Sequence, residues 1–454
     1  MSHMNIRSNA RCLCVFALLF SVGACGDETV NLGGGRAADG IARGARCSES
    51  TTVTGLVRVK SQADVQDLAG CEAIDGDVHI EIFAGADLSP LSALHSIDGT
   101  LEIGAYPEVT EGEYEDGELE ARREQVDAII ADGYLPSLHG LENLTQVTSI
   151  EIHDIAAEDL TPLLGLRELT GHESYLPVGF LGLTGTRVRN LHGLENVQNI
   201  TNLVLADNPE LESLSGVVLG QAIMNLNLVD SPRLTSIDEL APVALAYTLV
   251  LSNIGITDLE SLRDLTQVEY TIDLTRNDNL VNIDRISTIA TAALTINDNA
   301  VLPSIPPISG SFWLETLTVV DNPELQSISV NLPQQGNGPN YVAETPLSHA
   351  IGVIEIGQND KLTQVSLAEG LEEVGVVSIH GNPSLASVSF GTLTSLEELT
   401  LSANTSLASV DVGALETVDT LSVINNPVLD PAQLAGVRTF EARLLGNAQP
   451  PATP

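Results

Sequence analysis

Leu203-Val204-Leu205-Ala206-Asp207-Asn208-Pro209-Glu210-Leu211 is one instance of a string, apolar-x-apolar-x-x-Asn with Leu three residues on, that returns every 22 or 23 residues. It comes back as Leu226, Leu228 and Ser231, then Leu249, Leu251 and Ile254, then Ile272, Leu274 and Asn277. Leu294, Ile296 and Asn299 follow, and Leu317, Val319 and Asn322. After one longer step come Ile354, Ile356 and Asn359; Val377, Ile379 and Asn382; Leu399, Leu401 and Asn404; Leu421, Val423 and Asn426. A fixed period of this length marks the stacked coils of a solenoid, not a globule closed around one core.

Within each unit the apolar-x-apolar pair is a period-two signal, so it reads as a short strand with both residues facing inward. The next apolar position, Leu211 or Leu325, lies past a bend punctuated by Asn-Pro or Asn-Asp. The last, in Leu-x-Ser-Leu214 or Leu-x-Ser-Ile328, points inward again. One coil alone cannot bury this face, so neighbouring coils must pair strand on strand in parallel. A coil that turns inward also buries backbone groups that its short strand cannot satisfy. A carboxamide at the same place in every coil can bond to them and to the adjacent turn. Asn208, Asn277, Asn299, Asn322, Asn359, Asn382, Asn404 and Asn426 are read as this ladder. The functional alternative is a row of Asn contacting sugar.

Earlier strand pairs stand at Val57/Val59, Val78/Ile80, Leu101/Ile103, Ile150/Ile152 and Leu181/Leu183, and a degenerate one at Ala442/Leu444. That makes about sixteen coils over residues 47–445, a rod about 75 Å long at one parallel strand per coil. Two insertions interrupt the period. Residues 105–135 carry an acidic segment, 111–118, and then Leu119, Val126, Ile129 and Ile130 at the spacing of a short amphipathic helix. Residues 332–350 are rich in Pro, Gly and Asn and contain Tyr341, the candidate binding loop, because solenoid insertions often leave from the binding face. Residues 446–454 are read as a disordered tail.

Residues 1–24 read as a bacterial lipoprotein signal: Arg7 and Arg11, an apolar run from Cys12 to Val22, and Val22-Gly23-Ala24-Cys25 as the cleavage box. In that reading Cys25 is lipidated, residues 25–46 form a flexible Gly-rich tether, and the acyl chains are the only anchor. The alternative is an ordinary secretory signal cut near Ala24. Gly26 after the Cys favours the outer membrane of a Gram-negative bacterium. Loss of the first 24 residues removes two arginines and no acid, taking the formal net charge from −42 to −44. Such a surface repels nucleic acid and anionic headgroups and keeps copies apart, so a monomer without nucleic-acid partners is expected. Two cysteines remain, Cys47 and Cys71, and one pair in an oxidising compartment reads as a disulfide stapling the first coil.

The N-terminal coils carry a more specific pattern. Cys71-Glu-Ala-Ile74-Asp-Gly76-Asp-Val78-His-Ile80 is followed by Leu91-x-x-Leu94-x-x-Ile97-Asp-Gly99-Thr-Leu101-Glu-Ile103. Over 47–103 this resembles the receptor L domain of the insulin and epidermal growth factor receptors, and more weakly to about residue 445. Cys47 and Cys71 match that family's N-terminal cap cysteines. The resemblance implies a right-handed parallel β-solenoid of leucine-rich-repeat type serving as an exposed recognition scaffold, and it transfers no ligand. Towards the C-terminus the pattern drifts to plain leucine-rich repeats, with Tyr270 where the Gly before the strand stood.

Catalytic signatures are missing. His139 and His192 hold equivalent repeat positions, while His153-Asp154 and His172-Glu173 are isolated pairs without a nucleophile at a known spacing. No Gly-x-Ser-x-Gly, phosphate loop or His-Glu-x-x-His occurs. No metal and no cofactor are expected; calcium, the ion weighed, lacks its Asp-x-Asp-x-Asp-Gly loop. Aromatic residues are 3% of the chain, and Trp313, the one Trp, is read as packing. The expectation is a non-catalytic, lipid-anchored recognition or adhesion scaffold binding an extracellular protein or glycan. The alternatives are a carbohydrate-active enzyme on a β-solenoid and a passive envelope component.

Overall fold

A computed structural model describes residues 47, 51–83, 85–104, 135–171, 179–308, 314–330, 350–367 and 373–447. All of them belong to one compact unit, Gly44–Pro454. The signal, Cys25, the tether, Trp313, Tyr341, His172-Glu173 and the helix expected near residue 126 lie outside the described residues.

The chain is a parallel β-solenoid. Its inward strand pairs stack in register as one column: Val57 on Val78, Leu101, Ile150, Leu181 and Leu203. The column continues through Leu226, Leu249, Ile272, Leu294 and Leu317 to Ile354, Val377, Leu399, Leu421 and Ala442. Three of the nineteen strands in this sheet, Thr52–Thr54, Ala73–Asp75 and Glu168–Leu169, lie on the approach to the column; the other sixteen supply one strand per coil. Parallel strands joined by short turns bury one apolar side chain at each corner, and a single core runs from Val53 to Val437.

From Asp154 on, each coil leaves its strand through a left-handed residue just before the ladder position. Asp207, Asp230, Asn253, Asp298, Asp321 and Asn425 all have φ between +47° and +58°. Asp and Asn tolerate this region better than other side chains. The turn aims the next residue into the core, where all eight ladder asparagines are fully buried. Asn322 shows the bonding: its Oδ1 accepts from the Asn299 amide at 3.1 Å, and its Nδ2 donates to the Ile296 carbonyl at 2.8 Å and the Val320 carbonyl at 2.9 Å. Each asparagine thus ties its coil to the one before. Ser231 and Ile254 interrupt the series and are buried without a carboxamide.

The ladder runs one rung further than the eight asparagines. The Asn426 amide donates to Asn447 Oδ1 at 3.0 Å, and Asn447 Nδ2 donates to the Val423 carbonyl at 2.7 Å. Gly446 and Asn447 are therefore repeat, not tail, because Ala442-Arg443-Leu444-Leu445-Gly446-Asn447 reproduces the founding string. Both insertions end one residue sooner than their expected bounds. Leu135 is buried in the core, and Ala350 opens the strand Ala350–Gly357. The sheet passes both by, with Leu101 on Ile150 and Leu317 on Ile354.

The remaining side of the coil changes along the stack. Short 3-10 turns such as Asp238–Leu240, Glu260–Leu262 and Asp284–Thr288 give way to a second sheet, Ser327–Val330, Gln364–Leu367, Ser387–Ser389 and Ser409–Asp411. The two ends differ as well. At the first, the helix Gln62–Asp67 buries Val65, starts on a Ser61 cap, and sits beside a Cys47–Cys71 disulfide with Cα atoms 5.1 Å apart. At the last, strand Arg438–Leu445 pairs, among the described residues, with Thr417–Ile424 alone and is exposed throughout, Phe440 at 90%.

Candidate functional site

Alternation along each strand sends the residue between the two inward positions to the outer face of the sheet. In the first coils that column reads Arg58, His79, Glu102, Glu151 and Gly182, in register. His153, two residues past Glu151, emerges on the same face. The parallel stack therefore gathers His79, Glu102, Glu151 and His153, although Glu151 lies 49 positions after Glu102 in the chain.

His153 Nε2 stands 3.7 Å from Glu102 Oε1 and 3.5 Å from Glu151 Oε2, and His79 Nε2 stands 3.6 Å from Glu102 Oε2. Burial pushes the Glu102 carboxyl up to about 7; His153 opposes the rise, while Glu151 and Asp77 add to it. Burial lowers the His79 pKa, and Arg58 acts the same way against Asp77, Glu151 and Glu81. Two glycines make the room. A Cβ on Gly104 would fall 2.7 Å from His153 Cβ, and one on Gly182 would fall 2.7 Å from the Phe180 ring and 3.7 Å from Glu151 Cγ. Phe180 thus folds over Gly182 and walls the cluster on its C-terminal flank.

His153 is therefore not the isolated residue that its flanking sequence suggests. Glu102, Glu151 and His79 went unremarked in the sequence because each looks like an ordinary polar residue on a half-exposed strand. Aligning the repeats would have found them: all three are the x of an apolar-x-apolar pair in successive coils.

Further along the same face, Asn225 Nδ2 donates to Asn202 Oδ1 at 2.5 Å, and the Thr248 hydroxyl donates to Asn225 Oδ1 at 2.8 Å. Beside this polar row Tyr247 and Tyr270 pack edge to face, ring centres 5.8 Å apart, with 42% and 48% of their surface exposed. His139 and His192 each contact the Glu three residues on, and the amides of Gly140 and Gly193 bond to those same carboxylates at 2.9 and 2.8 Å. That repeated geometry is a turn device. A cavity of about 350 Å³ lies elsewhere, lined by Arg167, Glu195, Asn199 and Leu219 among others.

No protein-family model matches the sequence, and no curated protein matches it. Among solved structures the chain is similar to a leucine-rich-repeat protein of Leptospira interrogans, at 13% identity and a TM-score of 0.29, covering 84% of this chain and 92% of that one.

Proposed function

We propose that this chain is a non-catalytic recognition scaffold of the cell envelope, of receptor L-domain type, which presents the outer face of its long sheet to an extracellular protein or glycan. The observation that carries the reading is the exposed Tyr247–Tyr270 pair beside the Asn202–Asn225–Thr248 row. Neither tyrosine serves the core, and rigid aromatics next to fixed polar groups are the usual anchors of a binding surface. The Val22-Gly23-Ala24-Cys25 box supports attachment through acyl chains on Cys25, in the outer membrane of a Gram-negative cell. The acidic balance of the chain disfavours nucleic acid as a partner.

Capture from outer-surface extracts, compared between wild type and the double variant Tyr247→Ala/Tyr270→Ala, tests the recognition face. The variant should retain at most about a tenth of the partner, since an anchoring aromatic contributes about 2 kcal/mol or more. Identical capture by both proteins removes this face from the reading, and turnover of a polysaccharide by the purified chain replaces the reading with an enzyme. Cys25→Ser should move the folded protein out of the membrane fraction; retention there would defeat lipid anchoring.

A further inference from the structure

We infer that Glu102, Glu151 and His153 form a binding site for one borderline divalent transition ion of the Zn²⁺ class, with His79 flanking Glu102. The inference stands apart from the recognition reading and uses no residue of the tyrosine face.

Spacing is the first ground. One donor atom from each of the three residues lies within 4.8 Å of the other two. The contacts of 3.5 and 3.7 Å from His153 Nε2 are too long for hydrogen bonds. Two donors each about 2.1 Å from a tetrahedral ion sit about 3.4 Å apart. The side chains therefore stand at the separation of ligands around an ion, not of partners bonded to each other.

Charge is the second. Among the described residues no Lys or Arg forms an ion pair with Glu102 or Glu151, while the nearby Lys60 pairs with Glu81 at 2.8 Å. Two carboxylates one strand apart, with only imidazole between them, make a site that a cation relieves. Construction is the third. The residues project from neighbouring strands held in register, and side-chain exposures of 21% for Glu102, 24% for His153 and 34% for Glu151 leave the donors shielded but reachable. Gly104 vacates the space that His153 fills, and the Phe180 ring supplies an apolar shoulder. Such support keeps ligands close to their bound positions before the ion arrives.

The donor set fixes the class of ion. Imidazole nitrogen with carboxylate oxygen suits Zn²⁺ and its neighbours, whereas Ca²⁺ and Mg²⁺ select all-oxygen shells. His79 Nε2 stands 3.6 Å from the second oxygen of Glu102, beside the ligand set and not hydrogen-bonded to it.

Full-length protein freed of metal with a chelator is titrated with ZnCl₂ in a calorimeter, and separately with CoCl₂ while the visible absorption is followed. A single saturable site is expected above the weak background of surface acids, with the intense absorption of four-coordinate cobalt that Zn²⁺ abolishes. Glu151→Gln and His153→Gln should each weaken the site more than about 100-fold with an unchanged β circular dichroism spectrum, and His79→Gln by less than either. Wild-type protein with no saturable site, or with only the faint spectrum of six-coordinate cobalt, overturns the inference. So does a site equally strong in Glu151→Gln and His153→Gln. The wild-type spectrum decides alone if either variant fails to fold.

Discussion

Asn322 shows what a single buried side chain does in a molecule made of repeats. Its carboxamide satisfies the buried Asn299 amide and Ile296 carbonyl, and adds a second bond to the Val320 carbonyl, which also accepts from the Asp298 amide. Each buried group left unsatisfied costs about 1–3 kcal/mol, so Asn322→Ala should lose about 3 kcal/mol or more. Thr318→Ala, on the outer face of the same strand, should stay within about 0.5 kcal/mol. Urea midpoints followed by circular dichroism compare the two, and equal midpoints would remove the ladder from the account of stability. Asp273 carries the opposite lesson, a carboxyl that the fold holds at a loss. Burial raises its pKa, against the Thr275 hydroxyl bond and Arg276. The folded chain therefore keeps this proton to higher pH than the unfolded chain does. The site's contribution to stability is intact below the ordinary carboxylate range and falls as pH rises through the raised value. Asp273→Asn should raise the melting temperature at neutral pH and leave it unchanged in acid below that range; a gain of the same size at both would sink this assignment. The ladder was legible because each rung is written next to its own strand. The His79, Glu102, Glu151 and His153 cluster was not, because its proximity exists only across coils.

Among the elements, the first coil, like the last, is held by a neighbouring coil on one side only. The helix Gln62–Asp67 and the disulfide between Cys47 and Cys71, 24 residues apart, take the place of a preceding coil. Closing a loop of that length contributes about 3 kcal/mol by chain entropy. With Cys47→Ser, amide exchange should quicken first in Val57–Val59 and Val78–Glu81, while Leu245–Ile254 keeps its protection. Uniform acceleration along the stack would show that the bond supports the whole solenoid and not its end. The strands of the long sheet could be read from alternation alone, residue by residue. The second sheet could not: Leu-x-Ser-Ile328 and the 3-10 turn at Asp238–Leu240 both place one apolar residue at the corner, and the choice between them is made by pairing with the next coil. Insertion ends were missed by one residue for a related reason. Leu135 and Ala350 obey the repeat only once the stack is seen to resume at them.

At the scale of the whole molecule, periodicity specified nearly everything, since every coil solves the same packing problem against an identical neighbour. Function is the part that periodicity hides, because the outer column is free to vary wherever the inner column repeats. One end of the stack, meanwhile, carries a consequence of its own. Arg438–Leu445 offers an incoming chain the same backbone bonds that any interior strand offers its successor. Nothing in the fold counts its own coils. A duplication of one whole period can be accepted with every other register kept, whereas a single-residue insertion within a strand turns its inward pair outward. Natural variants of this chain should accordingly differ in the length of the stack by whole coils, whatever loops they insert between them, so that its size is inherited in discrete steps of about 4.8 Å, like the marks on a ruler.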